Sequence, residues 1–203
     1  MLETVAAGTV CRRVHRSGDL ADAFNWTAQP SVLRGGRFDS LDGTYGHLYL
    51  GDSPEAAIAE TLCRDLPLDG AARLVPWSRV SGRLLTSVEM LADVTVVALH
   101  GPALSQLGQD HWLCRSDAGS YVLTRRWAAA IRSWAPAAAG FQYRARFDED
   151  RFSVVLFADN TGAPAVRALG DSIPLDSGAG LVLLRSVLQR HNATLSHRRA
   201  SRR

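Results

Sequence analysis

The sequence predicts an α+β fold built on a mixed, mainly antiparallel sheet, and three observations carry that prediction. Short apolar, β-branched runs bounded by Gly, Pro, Asp or Ser recur along the whole chain. Segments with helical periodicity are dispersed among them. Late in the chain, the runs 141–147 and 152–157 are close enough to pair as a hairpin.

Taken in order, residues 8–15 alternate enough for a first strand, which ends in the basic cluster Arg12, Arg13, His15 and Arg16. Residues 19–26 read as a weak helix or loop, and Asn25 and Trp26 beside Pro30 are placed to wall a pocket. His47 to Leu50 form a short apolar strand between Gly46 and Gly51. A helix is predicted over 54–64, because Ser53 can cap, Pro54 suits the first turn and Glu55 suits the positive helix end. Strands follow at 72–77 and 82–88, and a stronger one at 91–99, whose continuous apolar character places it in the centre of a sheet. Residues 101–114 read as helix with loops and include the dipeptide Asp110-His111, whose neighbouring side chains point apart and make a weak acid–base pair. The clearest long helix spans 120–134, with Val122, Trp127, Ala130, Ile131 and Trp134 as its apolar stripe and Arg125, Arg126 and Arg132 off it. In the hairpin, the acidic run 148–151 is the predicted turn. A last edge segment at 173–175 precedes an amphipathic helix at 180–191.

The stretch 34–62 organises the rest, since it passes from a Gly-hinged basic loop through the strand carrying Tyr49 to the helix carrying Glu60. Gly35 and Gly36 allow a sharp bend that presents Arg37 with its guanidinium free, and a bidentate fork suits phosphate. Glu60 lies about 200° round the helix from Ile58, so amphipathicity does not bury it. Pattern alone also allows a plainer reading, with Glu60 a solvated acid, Tyr49 a strand core residue and Arg37 a loop cation. Spacing does not decide between them.

Composition bounds the classes. At 203 residues, 46% hydrophobic and 21% charged, the chain is large enough for one sizeable core and reads as one domain over 1–195. Every one of its 23 basic residues is Arg. The net charge of +3 rests on Arg198, Arg199, Arg202 and Arg203, so 196–203 reads as a basic, disordered tail and direct nucleic-acid binding by the remainder is not expected. Three widely spaced cysteines, with no paired histidines, suit neither a disulfide framework nor a structural zinc site and predict reduced thiols in the cytoplasm. No run reaches the ~18 apolar residues of a membrane span, and the N-terminus is a poor secretion signal.

Three motifs in order, GGRF at 35–38, Tyr49-Leu50, and SPEAAIAE at 53–60, resemble the RES domain family. RVHR at 13–16 is similar to the family's first strand and the 140–157 segment to its late strand pair, so the resemblance covers roughly 10–195. That family is named for an Arg, a Glu and a Ser, and its members are mostly NAD-consuming toxins of bacterial toxin–antitoxin pairs. The resemblance implies a split sheet similar to that of ADP-ribosyltransferases, with NAD in the cleft as substrate and with no cofactor or metal required. It implies cleavage of the nicotinamide–ribose bond by hydrolysis or phosphorolysis and a partner antitoxin, often one with a helix-turn-helix segment. Carried onto this chain, Glu60 matches the family's Glu, Arg37 its Arg and Tyr49 its strand Tyr, and these three are the expected catalytic set. Arg13, Arg37, Phe38, Tyr49, Tyr143, Arg144 and Ala145 are the expected NAD contacts. At the family's Ser position this chain has Ala145, which can neither donate nor accept a hydrogen bond. Two alternatives follow: a weakened NAD-binding or protein-interaction module, and a protein ADP-ribosyltransferase.

Overall fold

The computed structural model describes residues 1–31, 34–159 and 164–196. Eleven strands are present among them: β1 (Leu2–Val5), β2 (Val10–Arg16), β3 (Gly46–Gly51), β4 (Leu74–Val75), β5 (Arg83–Met90), β6 (Val94–Leu99), β7 (Gly140–Ala145), β8 (Asp148–Ala158), β9 (Val166–Ala168), β10 (Ile173–Pro174) and β11 (Thr194–Leu195). The α-helices are α1 (Pro54–Ile58), α2 (Trp77–Val80), α3 (Gly101–Gln106), α4 (Trp112–Arg115), α5 (Tyr121–Trp134) and α6 (Gly178–Arg190).

Nine strands form one sheet in the order β1-β6-β7-β8-β3-β2-β5-β10, with β9 also on β5, while β4 and β11 pair in parallel on their own. Within the large sheet β6–β7 is parallel and every other pairing is antiparallel. The join between β3 and β2 is a single rung, Arg12 opposite Gly51. Both strands are well paired on their other sides, β2 to β5 over seven positions and β3 to β8 over six. The sheet is therefore split at that rung, as the family resemblance implies.

Three apolar clusters hold the halves and their helices. Leu48, Leu50, Val88, Met90, Val96, Val154 and Leu156 unite strands of both halves. Val14 and Leu85 pack with α1, the turn that follows it and α6 through Ile58, Leu62, Leu184 and Leu188. Phe141, Val155 and Phe157 pack with Leu104, Leu113, Ala128 and Ile131 of α3, α4 and α5.

Several expectations are corrected. The 91–99 run is a strand from Val94 onward, and because β1 forms the edge beside it, the run lies next to the edge of the sheet and not at its centre. Of the two readings of residues 19–26 the loop holds, and Asn25 forms an isolated bridge to His47. The predicted strand at 72–77 shrinks to β4. The expectation of helix with loops over 101–114 holds, as α3 and most of α4, and His111 is exposed. On α5 the buried stripe is Tyr121, Thr124, Arg125, Ala128 and Ile131, and Trp134 stands 61% exposed. The hairpin turns at Arg146-Phe147, where Phe147 has φ 65°, and residues 148–151 belong to β8, with the register shifting at Arg144/Ala145. The tail arginines lie outside the described residues.

Candidate active site

The helix that carries Glu60 starts as its sequence dictates. Ser53 accepts a hydrogen bond from the Ala56 amide at 3.2 Å, and Pro54 occupies the first turn. Gly51, the strand residue at the split, lets this helix press onto the sheet, since a Cβ there would come within 2.5 Å of the Ala57 nitrogen. After Ile58 the helix widens into a π turn over Ala59–Cys63. That wider turn keeps Ala59, Leu62 and Cys63 buried while the Glu60 side chain, 12% exposed, reaches the split.

Glu60 is held through both oxygens. Arg37 donates from Nη2 to Oε2 at 2.5 Å, and the Arg146 main-chain N–H donates to Oε1 at 2.5 Å. The Tyr143 hydroxyl stands 3.5 Å from Oε2. Burial, with the Glu60 charge adding to it, holds the Tyr143 phenol well above its ordinary range, so it remains a donor. Arg37 is buried rather than free. Burial opposes its charge, but Glu60, followed by Tyr143, more than offsets that and raises its pKa. Its Nε and Nη1 have no partner among the described residues.

The loop that delivers Arg37 is shaped from outside itself. Only Gly35 of the glycine pair has positive φ, 82°, whereas Gly36 is needed for space, because a Cβ there would stand 2.8 Å from the Tyr49 hydroxyl. Tyr49 accepts from the Phe38 N–H at 2.9 Å and donates to Asp39 at 2.8 Å. Burial keeps this phenol protonated as well. Fully buried Arg125 of α5 donates to four main-chain carbonyls: Gly36 at 2.9 Å, and Gln29, Ser31 and Arg34 at 2.6 Å each. Its neighbour Thr124 donates to the Arg37 carbonyl at 2.7 Å.

These parts border a cleft of about 410 Å³ where β2 and β3 diverge. Six arginines line it (Arg13, Arg16, Arg37, Arg64, Arg79 and Arg83), against the carboxylates Asp39 and Glu60. Such a wall suits a polyanionic ligand. A second, water-sized cavity of about 20 Å³ shares Val14, Tyr49, Glu60 and Thr61 with the cleft and adds Tyr143 and Ser153. The buried Ser153 hydroxyl has no partner among the described residues.

The expected ligand residues do not all meet here. Glu60, Arg37 and Tyr49 do. Arg13 reaches the cleft wall but spends Nη1 on the carbonyls of Leu20, Ala21 and Ala23. Phe38 is wholly buried, edge-on to Phe141 and Tyr143. Arg144 lies over the Phe152 ring at 3.8 Å and does not line the cleft, and Ala145 is a fully buried methyl beside the Arg146 amide that binds Glu60. Asn25 lines the cleft, while Trp26 packs against Gly46 and stays 47% exposed. The reading missed Arg125, Asp39, Ser153 and the Arg146 amide. Cys63 and Cys114 are buried with thiol pKa pushed up to about 12, and Cys11 to about 11, so none is a ready nucleophile.

The RES domain profile matches residues 10–193. The chain belongs to the RES domain family. No curated protein matches it. Among solved structures, this RES domain is similar in fold to a chain of the M. tuberculosis MbcT–MbcA toxin–antitoxin complex, with a TM-score of 0.51 and 16% identity over 82% of this chain and 86% of that one. Among the described residues, no helix of the RES domain is long and apolar enough to cross a membrane, and no cluster of His, Cys, Asp or Glu could hold a metal ion.

Proposed function

We propose that this RES domain is a toxin-type enzyme that consumes NAD by cleaving the bond between nicotinamide and ribose, and that a protein antitoxin holds it in check. The observation that carries the reading is Glu60, fixed through both oxygens at the inner end of a cleft with six arginines on its walls. In the reaction the C1′–N bond breaks and its electron pair stays on the ring nitrogen, so nicotinamide leaves neutral. The ribose becomes oxocarbenium-like, and the Glu60 carboxylate stabilises the positive charge that develops there. Water or phosphate then bonds to C1′ and loses a proton. The arginine wall supplies the charge that attracts and holds the diphosphate. Support for an antitoxin comes from the complex in which the similar fold was solved.

Ala145 favours one rival, a domain that binds NAD and turns it over little. One assay separates the two readings: nicotinamide release from NAD by the purified protein, with and without inorganic phosphate, alongside Glu60→Gln. Glu60-dependent release supports the enzyme, and phosphate dependence marks phosphorolysis. Binding of NAD with no release by the wild type would sink the enzyme reading in favour of the rival.

A further inference from the structure

At the outer end of the cleft two arginines stand close to one carboxylate, Asp19, but form no ion pair with it. Arg16 ends β2 and Arg83 begins β5, and the antiparallel register sets them directly opposite one another. Like charges in facing positions are unfavourable across a sheet. Burial, together with the neighbouring guanidinium groups of Arg16 and Arg79, lowers the Arg83 pKa, and Asp19 only partly offsets them. Among the described residues no carboxylate forms an ion pair with either side chain. The nearby Arg79 and Arg64 are already engaged: Arg79 donates to Asp65 and to the Thr61 carbonyl at 3.1 Å, and Arg64 donates to the Gly35 carbonyl at 3.0 Å.

The pair also joins two cavities. Arg16 and Arg83 line both the 410 Å³ cleft and an adjoining space of about 430 Å³. That outer space adds the hydroxyl-bearing Ser17, Ser78 and Ser81, with Asp19 its one carboxylate among the described residues. Two unpaired guanidiniums with hydroxyl donors beside them suit a group with several anionic oxygens.

We propose that Arg16 and Arg83 form a phosphate station at the outer end of the cleft, which receives a phosphate of the dinucleotide. This deepens the NAD reading and rests on it. The shared chemistry is a phosphate, and it has two sources: the diphosphate itself, or a 2′-phosphate on the adenosine ribose of a phosphorylated dinucleotide.

Calorimetric titration of wild type and Arg83→Gln with ADP-ribose, 2′-phospho-ADP-ribose and inorganic pyrophosphate tests it. The variant should bind about tenfold more weakly, the scale of one lost charge-assisted contact. Equal losses for the two ADP-ribose ligands assign the station to the diphosphate, and a loss confined to the 2′-phosphorylated ligand assigns it to the extra phosphate. Affinity for all three unchanged by the substitution overturns the proposal, as does failure of the wild type to bind any of them. Arg83-dependent pyrophosphate binding by a protein that neither binds ADP-ribose nor releases nicotinamide leaves the station standing and removes the dinucleotide. The ligand-free variant should melt no lower than wild type, because it loses a repulsion; a lower melting temperature would mean that Arg83 has a structural partner and would overturn the claim that it is free.

Discussion

The two ends of the cleft treat charge in opposite ways. At the inner end Arg37 and Glu60 are buried together, and the carboxylate is further fixed by a main-chain amide. At the outer end Arg16 and Arg83 face one another with no such partner. A buried pair is costly to break from either side, because the survivor is left desolvated and uncompensated. A like-charged pair, with Arg16 exposed and Arg83 partly buried, costs the fold a little until an anion arrives. On the proposed reading, the contrast separates a part preorganised for chemistry from a part held open for binding.

The largest expected effect comes from breaking the inner end. Glu60→Gln should lower nicotinamide release about a thousandfold, the scale of a lost electrostatic stabiliser. It should also lower stability by about 3 kcal/mol, since Arg37 loses its counter-charge. Thermal melting beside the activity assay checks both, and its sign should oppose that of Arg83→Gln. Arg125→Met comes next. It deserts four carbonyls at once, so a loss of about 3 kcal/mol is expected, with rapid amide exchange confined to the loop around residues 29–40 and the sheet still protected. Exchange that accelerates equally across β3 and β8 would show that Arg125 supports the whole core and not this loop. Smaller is Tyr49→Phe, which leaves the Phe38 N–H without its acceptor and should cost about 1 kcal/mol in a denaturant titration. Smallest is Ala145→Ser. If the missing hydroxyl matters, release should rise severalfold; an unchanged rate would mean that the Arg146 amide and Arg37 already orient Glu60 fully.

Much of the inner end is legible in the sequence, whereas the facing of Arg16 and Arg83, 67 positions apart, is set by the strand register and is not. Ser53-Pro54 announced the helix start, the glycines around His47 to Leu50 marked the strand, and the 11-residue interval from Tyr49 to Glu60 put both beside one split. What escaped notice has physical reasons. Arg125 looked like a solvent-face residue of an amphipathic helix, because its partners are carbonyls, which every residue has. Arg37 looked free because nothing in its loop names Glu60, 23 positions on, as its partner. The acidic run 148–151 has turn-like composition, yet the left-handed residue is Phe147, a type that seldom adopts that conformation. The π turn over Ala59–Cys63 leaves no composition signal.

Arg125 has a consequence for how such a loop can change. It grips the loop through main-chain oxygens at Gln29, Ser31, Arg34 and Gly36, so most side chains there are free to drift without loosening the grip. The loop's form is inherited through a helix almost a hundred residues downstream. Transplanting the loop into another scaffold would carry its letters and lose its shape unless that arginine travelled with it.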